Sequence, residues 1–454
     1  MRTKIQSQMS FALNNYECDL KIVRDFQARY NGISGILDSN PAILAAYHAD
    51  LCRVAAGSGR NSTYSSEQVL RMDIIKRTEG FSYRDTVIRV ANDTFFRTFT
   101  RIHSGPVMNF TALEMACKSI QPQTWEKINA LLLRYARTRH GLSGKQLRVD
   151  STVCESNIHY PTDSSLLADS YRVMARLMRR GSKTDSHLDL GFRFHEKKIK
   201  RIYTFIATHT GGKKQATKRR VRKAMNILIQ RTEAALVKAE QFVKTGERAG
   251  GATAVKDLKT LLPSVRTVIA CARRAHQGEK VLAADRVFSI FEPHTELLKR
   301  GKVQKPVEFG HMVTIGQTVE KFISFYKVEE RSRHDIALGD EALRNHQRIF
   351  GEYPKHFTAD KNYYGGPEHL QKWEEQIDEY AVGKKGKRTR SETRREHRSA
   401  FQLLQKFRAG CEGSISVLKR VFGLYRCLNR GFKSFAAGIG NIVFCHNLAV
   451  VSRL

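Results

Sequence analysis

KQLRVDSTVC, residues 145–154, is the stretch on which the reading of this 454-residue chain turns. Leu147, Val149, Ser151 and Val153 alternate with polar neighbours, the period-two pattern of a β-strand. Asp150 stands inside that strand. A carboxylate buried in a sheet is costly unless it is paired or binds a metal, so the strand poses a chemical question as well as a structural one. The same combination returns at HFTADKNYYGG, residues 356–366, where a short β-type run ends in Asp360 just before a turn. There the acid is either a turn cap or part of a metal site.

Around these two stretches the pattern is that of a mixed α/β sheet with a large insertion. PVEFGHMVTIGQ and FISFYKVEE read as a hairpin, DEALRNHQRIFGEYP as a helix, HFTAD as a short buried strand and DEYAV as another. PEHLQKWEEQI reads as a helix with Pro367 in its first turn. Between the first strand and the hairpin, a largely helical tract runs from about Ser164 to Lys302, with a loop expected at TGERAGGATA. Arg219, Arg220, Arg222 and Lys223 make one strongly cationic helix start in it, either a solvated face or a set of phosphate contacts. The expected divisions are a helical N-terminal region over 1–140, a first piece of sheet core over 141–163, a basic helical insertion over 164–303, and the rest of the core with C-terminal helices over 304–454.

Lys and Arg number 78 against 44 Asp and Glu, for a formal net charge of +34, which points to a polyanionic partner and first to nucleic acid. No stretch approaches about 18 uninterrupted apolar residues, and the N-terminus lacks the apolar core of a signal peptide, so a membrane is not expected and the cytosol is. The eight cysteines are scattered without a CxxC pair, which implies reduced thiols and neither zinc nor disulfides. Within 66–98, Val69, Leu70, Ile74 and Ile75 form a helical stripe, Gly80 suits a C-cap and Ser82 an N-cap. A second helix follows with Arg84, Arg89 and Arg97. Helix, short turn, helix is a unit able to place a helix in a major groove, and equally an ordinary core element.

A third acid stands out at Glu412, in the helical segment RAGCEGSISVLKR. Arg408 lies one turn before it and Lys419 about two turns after, on nearly the same face. If Asp150, Asp360 and Glu412 converge, they form a hard-oxygen site suited to Mg²⁺, which takes a few carboxylates and leaves room for phosphate and water. Taken singly, Asp150 reads equally as an edge-strand acid, Asp360 as a turn cap, and Glu412 as a partner for Lys419. The NIHYPTDSS segment after Asp150 reads as a structured loop, with Asp163 or Ser164 capping the next helix, and His311 as a packed strand histidine.

VDSTVCESNIHYPTDSSLL (149–167), FEPHTELLKRGK (291–302), EFGHMV (308–313), FTADKNYYG (357–365) and RAGCEGSISVLKRVFGL (408–424) together resemble the DDE transposases of bacterial insertion sequences, and within them the ISNCY-like branch. The resemblance covers nearly the whole chain. It implies a ribonuclease-H-like core with its first Asp on strand one, its second after strand four and its Glu on a following helix, places taken here by Asp150, Asp360 and Glu412. A related spacing, Y-(2)-R-(3)-E-(6)-K, is matched by Arg408, Glu412 and Lys419, while its Tyr position holds Gln405.

What the resemblance implies is a chain that binds the terminal inverted repeats of its own element. It would cut DNA with Mg²⁺, or Mn²⁺ as substitute, using two ions, and join the freed 3′-hydroxyls to target DNA. Arg408, Lys419, Arg420, Arg219, Arg220, Arg84 and Arg89 are the expected DNA contacts. Double-stranded DNA is the expected partner, a homodimer or larger synaptic complex the expected assembly, and the bacterial nucleoid the place of action. Two other readings share parts of this pattern: a non-catalytic DNA-binding protein derived from a transposase, and a metal-dependent nuclease without strand transfer.

Overall fold

The computed structural model describes residue 4 and residues 20–55, 63–184, 188, 192–248, 253–299 and 306–454. Along the chain, helices α1 (Lys21–Asp38), α2 (Pro41–Ala55), α3 (Ser66–Thr78), α4 (Tyr83–Asn92), α5 (Thr94–Phe99), α6 (Phe110–Ser119) and α7 (Pro122–His140) precede strand β1 (Gln146–Ser156). Helices α8 (Asp163–Thr184), α9 (Glu196–His209), α10 (Gln215–Arg248) and α11 (Thr253–Gln277) follow. Then come β2 (Glu296–Lys299), β3 (Val307–Thr318), β4 (Ile323–Val328), α12 (Asp335–Phe350), β5 (His356–Ala359), α13 (Pro367–Glu374) and β6 (Glu379–Ala381). The chain closes with α14 (Arg390–Glu396), α15 (Ser399–Arg420), β7 (Arg426–Cys427) and α16 (Phe432–Val451). The fold divides into two compact units, 1–156 with 311–454, and 157–310.

In the first unit the sheet runs β3–β1–β5–β6, with β4 paired to β3 and β7 to β1. β1, β5 and β6 are parallel, with Val149 opposite Ala359 and Thr358 opposite Ala381; β3 and β4 form the antiparallel hairpin. Because side chains alternate along a strand, Leu147, Val149, Phe357 and Ala359 share one face. They pack there with Leu338, Ala342 and Leu343 of α12 and Trp373 of α13. The opposite face carries Arg148 and Asp150, and α15 lies over it, placing Phe401 and Leu404 with Ala381.

A larger core in the same unit gathers the N-terminal helices, α16 and parts of β3 and β4. Helix α3 is buried on every side rather than along one stripe: Val69, Leu70, Met72, Ile74 and Ile75 are enclosed, and so are Arg71 and Asp73. Its ends follow the local code, with a Ser65–Gln68 capping box at the start and Gly80 at φ +69° just past the end. Ser82 and Asp85 cap α4 in the same reciprocal way. Helix α16 is long and apolar enough to cross a membrane, yet it is mostly buried in this core. It approaches α7 closely at Gly440, where a Cβ would meet the Cβ of Trp125 at 2.5 Å.

The second unit is built on α8, α10 and α11, whose Tyr171, Met174, Leu228, Phe242, Leu258 and Leu262 share one apolar core. At its far end β2 pairs antiparallel with the first residues of β3, Glu296 opposite Gly310 and Lys299 opposite Val307.

The strands expected at 145–154, 306–317, 322–330, 356–360 and 378–382 all form, and four local expectations are corrected. The helical tract ends at Gln277 rather than near Lys302, and β2 lies where helix was expected, because Glu296–Lys299 finds a strand partner in β3. The loop at TGERAGGATA begins later than expected, since α10 continues to Arg248; its centre, 249–252, lies outside the described residues. Thr162, not Asp163 or Ser164, caps α8: its hydroxyl accepts from the Ser165 amide at 3.1 Å, while Asp163 pairs with Arg286 at 2.6 Å. The helix expected to run on past Arg89 is also interrupted at Asp93, whose carboxylate caps α5 by accepting from the amides of Phe95 and Phe96. Arg97 is spent inside the fold, donating to the carbonyls of His103 and Gly105 at 3.0 and 2.7 Å.

Two buried histidines give the fold a pH dependence. Burial holds His346 of α12 and His446 of α16 near a pKa of about 4, against an ordinary 6.5. Each therefore stays neutral when folded and protonates near 6.5 when unfolded. Their contribution is complete above pH 6.5 and is lost as pH falls toward 4. Thermal melts of the wild type and of His446→Gln across that window check this: the midpoint of the wild type should fall more steeply with acidification, and parallel slopes would remove these groups from the account.

Candidate active site

The parallel pairing of β1 with β5 sets the geometry. Val149 and Ala359 are the last register partners of the two strands, and Asp150 and Asp360 are the residues that follow them in sequence. Neighbouring strands run about 4.8 Å apart. Asp150 is 16% exposed and one of its oxygens accepts from the Ser151 amide at 2.8 Å. Asp360 caps the 3-10 turn Lys361–Tyr363, its Oδ1 accepting from the Lys361 amide at 2.8 Å. The capping role and a place beside Asp150 are thus compatible, because the cap uses one carboxylate oxygen and leaves the other.

Helix α15 brings the third acid. Arg408 reaches Asp150 at 3.6 Å and Glu412 at 3.9 Å, so one guanidinium links the strand acid to the helix acid. Glu412 is 71% exposed, against 20% for Arg408. Among the described residues no three His, Cys, Asp or Glu side chains are grouped closely enough to hold a metal ion. Here Arg408 lies between two of the expected ligands and Glu412 extends outward. The chemistry of the donor set is that of a hard-cation site: a carboxylate on β1, one directly after β5 and one on α15, with Arg408 already standing between the first and the last.

What holds α15 at this distance is a residue that sequence reasoning did not single out. Arg148, two positions before Asp150 on the same face, is only 4% exposed. Its Nε donates to Gln317 Oε1 of β3 at 3.0 Å and its Nη1 to the Phe407 carbonyl of α15 at 2.8 Å. Gly410 makes room for it, since a Cβ there would meet Arg148 Nη1 at 2.4 Å. A cation in the middle of an otherwise buried strand was the signal in the sequence.

On the opposite face of the sheet, a hydroxyl cluster fixes the turn after Asp360. Ser151 Oγ lies 2.7 Å from the Tyr363 hydroxyl and 3.0 Å from Thr314 Oγ1, and burial pushes the Tyr363 phenol far up, so it remains a hydrogen-bonding hydroxyl. Gln405, at the position where the related spacing has Tyr, donates to the Ala381 carbonyl at 2.8 Å and so ties α15 to β6. Burial first, and the Asp150 carboxylate next, push the Cys411 thiol up to about 12, which keeps it protonated beside the acids.

The remaining expected residues lie elsewhere. Lys419 is half-buried farther along α15; burial pushes the Cys154 thiol of β1 up, and the charge of Lys419 works against that. Arg420 is exposed at the end of the same helix. Arg84 and Arg89 are exposed on α4, over the rings of Phe110 and Phe81. Arg219 and Arg220 are exposed on α10 in the second unit, Arg220 over Phe205. His311 is enclosed in β3, edge-on to Phe432 and Phe435. The described cysteines are all free thiols.

Residues 308–448, about a third of the chain, match the family model described as the transposase DDE domain. That span contains Asp360, Arg408, Glu412, Lys419 and Arg420, and Asp150 precedes it. No curated protein and no solved structure matches the chain.

Proposed function

We propose that this chain, whose residues 308–448 match the transposase DDE domain, acts as a DDE transposase: it binds the terminal inverted repeats of an insertion sequence, cuts DNA there in the presence of Mg²⁺ or Mn²⁺, and joins the freed 3′-hydroxyls to target DNA. The observation that supports this is that Asp150 and Asp360 directly follow the register pair Val149–Ala359 of adjacent parallel strands, while Arg408 of α15 reaches both Asp150 and Glu412. The strand order β4–β3–β1–β5–β6 with helices on both faces supports a ribonuclease-H-like core. The motifs at 149–167 and 291–302 support the ISNCY-like branch.

Asp150, Asp360 and Glu412 are the residues that would hold the metal, as two ions. A pair of divalent ions activates the attacking oxygen and stabilises the leaving one in phosphodiester chemistry. The chain's own cations do the rest. Arg408 neutralises Asp150 and Glu412 in the free protein and, once the carboxylates are otherwise engaged, turns to the phosphate backbone. Lys419 and Arg420 contact phosphates farther along α15. Arg84 and Arg89 on the N-terminal helices recognise the transposon end. A homodimer or larger synaptic complex brings two ends together on the bacterial nucleoid.

Helices α9 and α10 serve as the grip on end DNA. Residues 197–232 hold twelve Lys and Arg and not one Asp or Glu, so this stretch of α9 and α10 carries positive charge with no acid of its own; the glutamates of the pair lie outside it, at Glu196, Glu233, Glu240 and Glu247. Replacing Arg219, Arg220, Arg222 and Lys223 together by Ala should weaken duplex binding and reduce the slope of log K against log salt by about 3 to 4, near the 0.9 per neutralised phosphate of B-DNA. Titrations at several salt concentrations check it. An unchanged slope would leave these residues as a solvated face.

The test of the function is incubation of the full chain with labelled DNA carrying the inverted repeats that flank its gene, with Mg²⁺ and with a chelator. Metal-dependent cleavage and joined products are expected. Cleavage without joining would make the chain a nuclease, and binding without cleavage in either metal would make it a DNA-binding protein.

A further inference from the structure

The segment between β6 and α15, residues 382–398, carries eight Lys and Arg against two glutamates, and the fold has built it rather than left it loose. Thr389 and Glu392 form a capping box that starts α14. Glu392 accepts from the Thr389 amide at 2.7 Å, from Lys384 Nζ at 2.9 Å and from the Tyr364 hydroxyl at 2.9 Å. Glu396 accepts from the Lys384 amide at 2.9 Å and pairs with Arg388 at 2.7 Å. Arg395 donates to the Tyr380 hydroxyl and the Val382 carbonyl at 2.9 and 3.1 Å. Both negative charges are thereby used to shape the segment. Lys385, Lys387, Arg390, Arg394 and Arg398 remain exposed around them.

Its position follows from the sheet. Thr358 pairs with Ala381 in parallel register, so Gly383 stands two residues past Ala381 as Asp360 stands two past Thr358. The cationic segment therefore issues from the sheet at the level of Asp360, on the carboxyl-end rim where open α/β sheets place their ligands. The Tyr364–Glu392 hydrogen bond connects it to the turn that follows Asp360, and Gln405 ties the start of α15 to the end of β6.

We propose that residues 382–398 are a preformed contact for the DNA phosphate backbone beside the carboxylate site, made by Lys385, Lys387, Arg390, Arg394 and Arg398. This rests on the reading of the site as one that acts on DNA, and it adds a part of the interface that neither α4 nor α10 supplies. An extended anion suits the segment better than a small one, because its exposed charges are spread over two turns and a short helix rather than gathered on one point. Its two glutamates leave it strongly positive.

The test replaces those five residues by Gln, leaving Lys384, Arg388, Glu392, Arg395 and Glu396 to hold the shape. The full chain then binds a labelled duplex without metal across a salt series, and separately meets inverted-repeat DNA with Mg²⁺. The expected result is at least about tenfold weaker duplex binding at moderate salt and a salt slope lower by about 4 to 5, with an unchanged melting temperature because the replaced groups are exposed. An unchanged affinity and slope overturns the proposal, whether or not the wild type cuts DNA. A lower slope in a protein whose wild type fails to cut supports the contact and removes the transposase reading instead. Polyglutamate competing with the duplex for these five residues at equal charge concentration would overturn the assignment to DNA in favour of an acidic protein partner.

Discussion

Asp150→Ala should abolish DNA cleavage while leaving binding to end DNA nearly intact. Asp150 stands on β1 directly after the register pair Val149–Ala359 and is joined to Glu412 of α15 through Arg408. Loss of an outer partner of a metal site commonly costs about 10–100-fold, so loss of a ligand should cost more than about 10³-fold in rate. The fold should survive, because the Asp150 carboxylate sits at the rim of the site and its removal leaves Arg408 with Glu412. On the proposed reading DNA binding rests on cations of α4, α10 and α15, so the substitution should leave it nearly unchanged. Single-turnover cleavage of labelled end DNA measures the effect, and a wild-type rate in this variant would reject the site.

Gly410→Val should be nearly as damaging, through a different cause. Arg148 is buried between Gln317 of β3 and the Phe407 carbonyl of α15, and a Cβ at residue 410 would meet its Nη1 at 2.4 Å. The tip of an arginine is ordinarily free to move, but this one is fixed on both sides and has no solvent to turn to. The helix must lift, or the guanidinium must lose a hydrogen-bond acceptor while still buried, and losing a hydrogen bond made by a charged group costs about 1.5–3 kcal/mol. Either outcome withdraws Arg408 and Glu412 from Asp150. The expected result is a melting temperature lower by several degrees and a loss of cleavage, with duplex binding retained by α10. The double variant Arg148→Met/Gly410→Ala, which removes both the charge and most of the clash, should recover stability relative to Gly410→Val. If Gly410→Val melts and cuts like the wild type, Arg148 does not set the position of α15.

Much of this was legible in the sequence. The strands around Asp150 and Asp360 announce themselves by alternation and by the acid at the end of a short apolar run, and the helix start at Ser82 follows from local capping chemistry. What sequence could not supply were features that depend on partners distant in the chain. β2 forms because the start of β3 lies beside it, and nothing in Glu296–Lys299 alone separates strand from helix. The all-round burial of α3 shows no one-sided stripe because it is enclosed by elements from both ends of the chain. The placement of Glu412 near Asp150 depends on Arg148 and Gly410, which are 262 positions apart in the sequence and matter only as a pair. Gln405 at a position where related spacing has Tyr becomes understandable only when its bond to Ala381 is seen.

The central claim, that Asp150, Asp360 and Glu412 form one divalent-metal site, has a direct measurement that does not depend on activity. Fe²⁺ binds the same kinds of oxygen sites as Mg²⁺ and Mn²⁺, and with ascorbate and peroxide it cuts the polypeptide where it is bound. Applied to the full chain on uncut end DNA, it should yield fragments ending near residues 150, 360 and 412, and these should vanish together in Asp150→Ala. Fragments that end elsewhere, or that persist unchanged in that variant, would contradict the site.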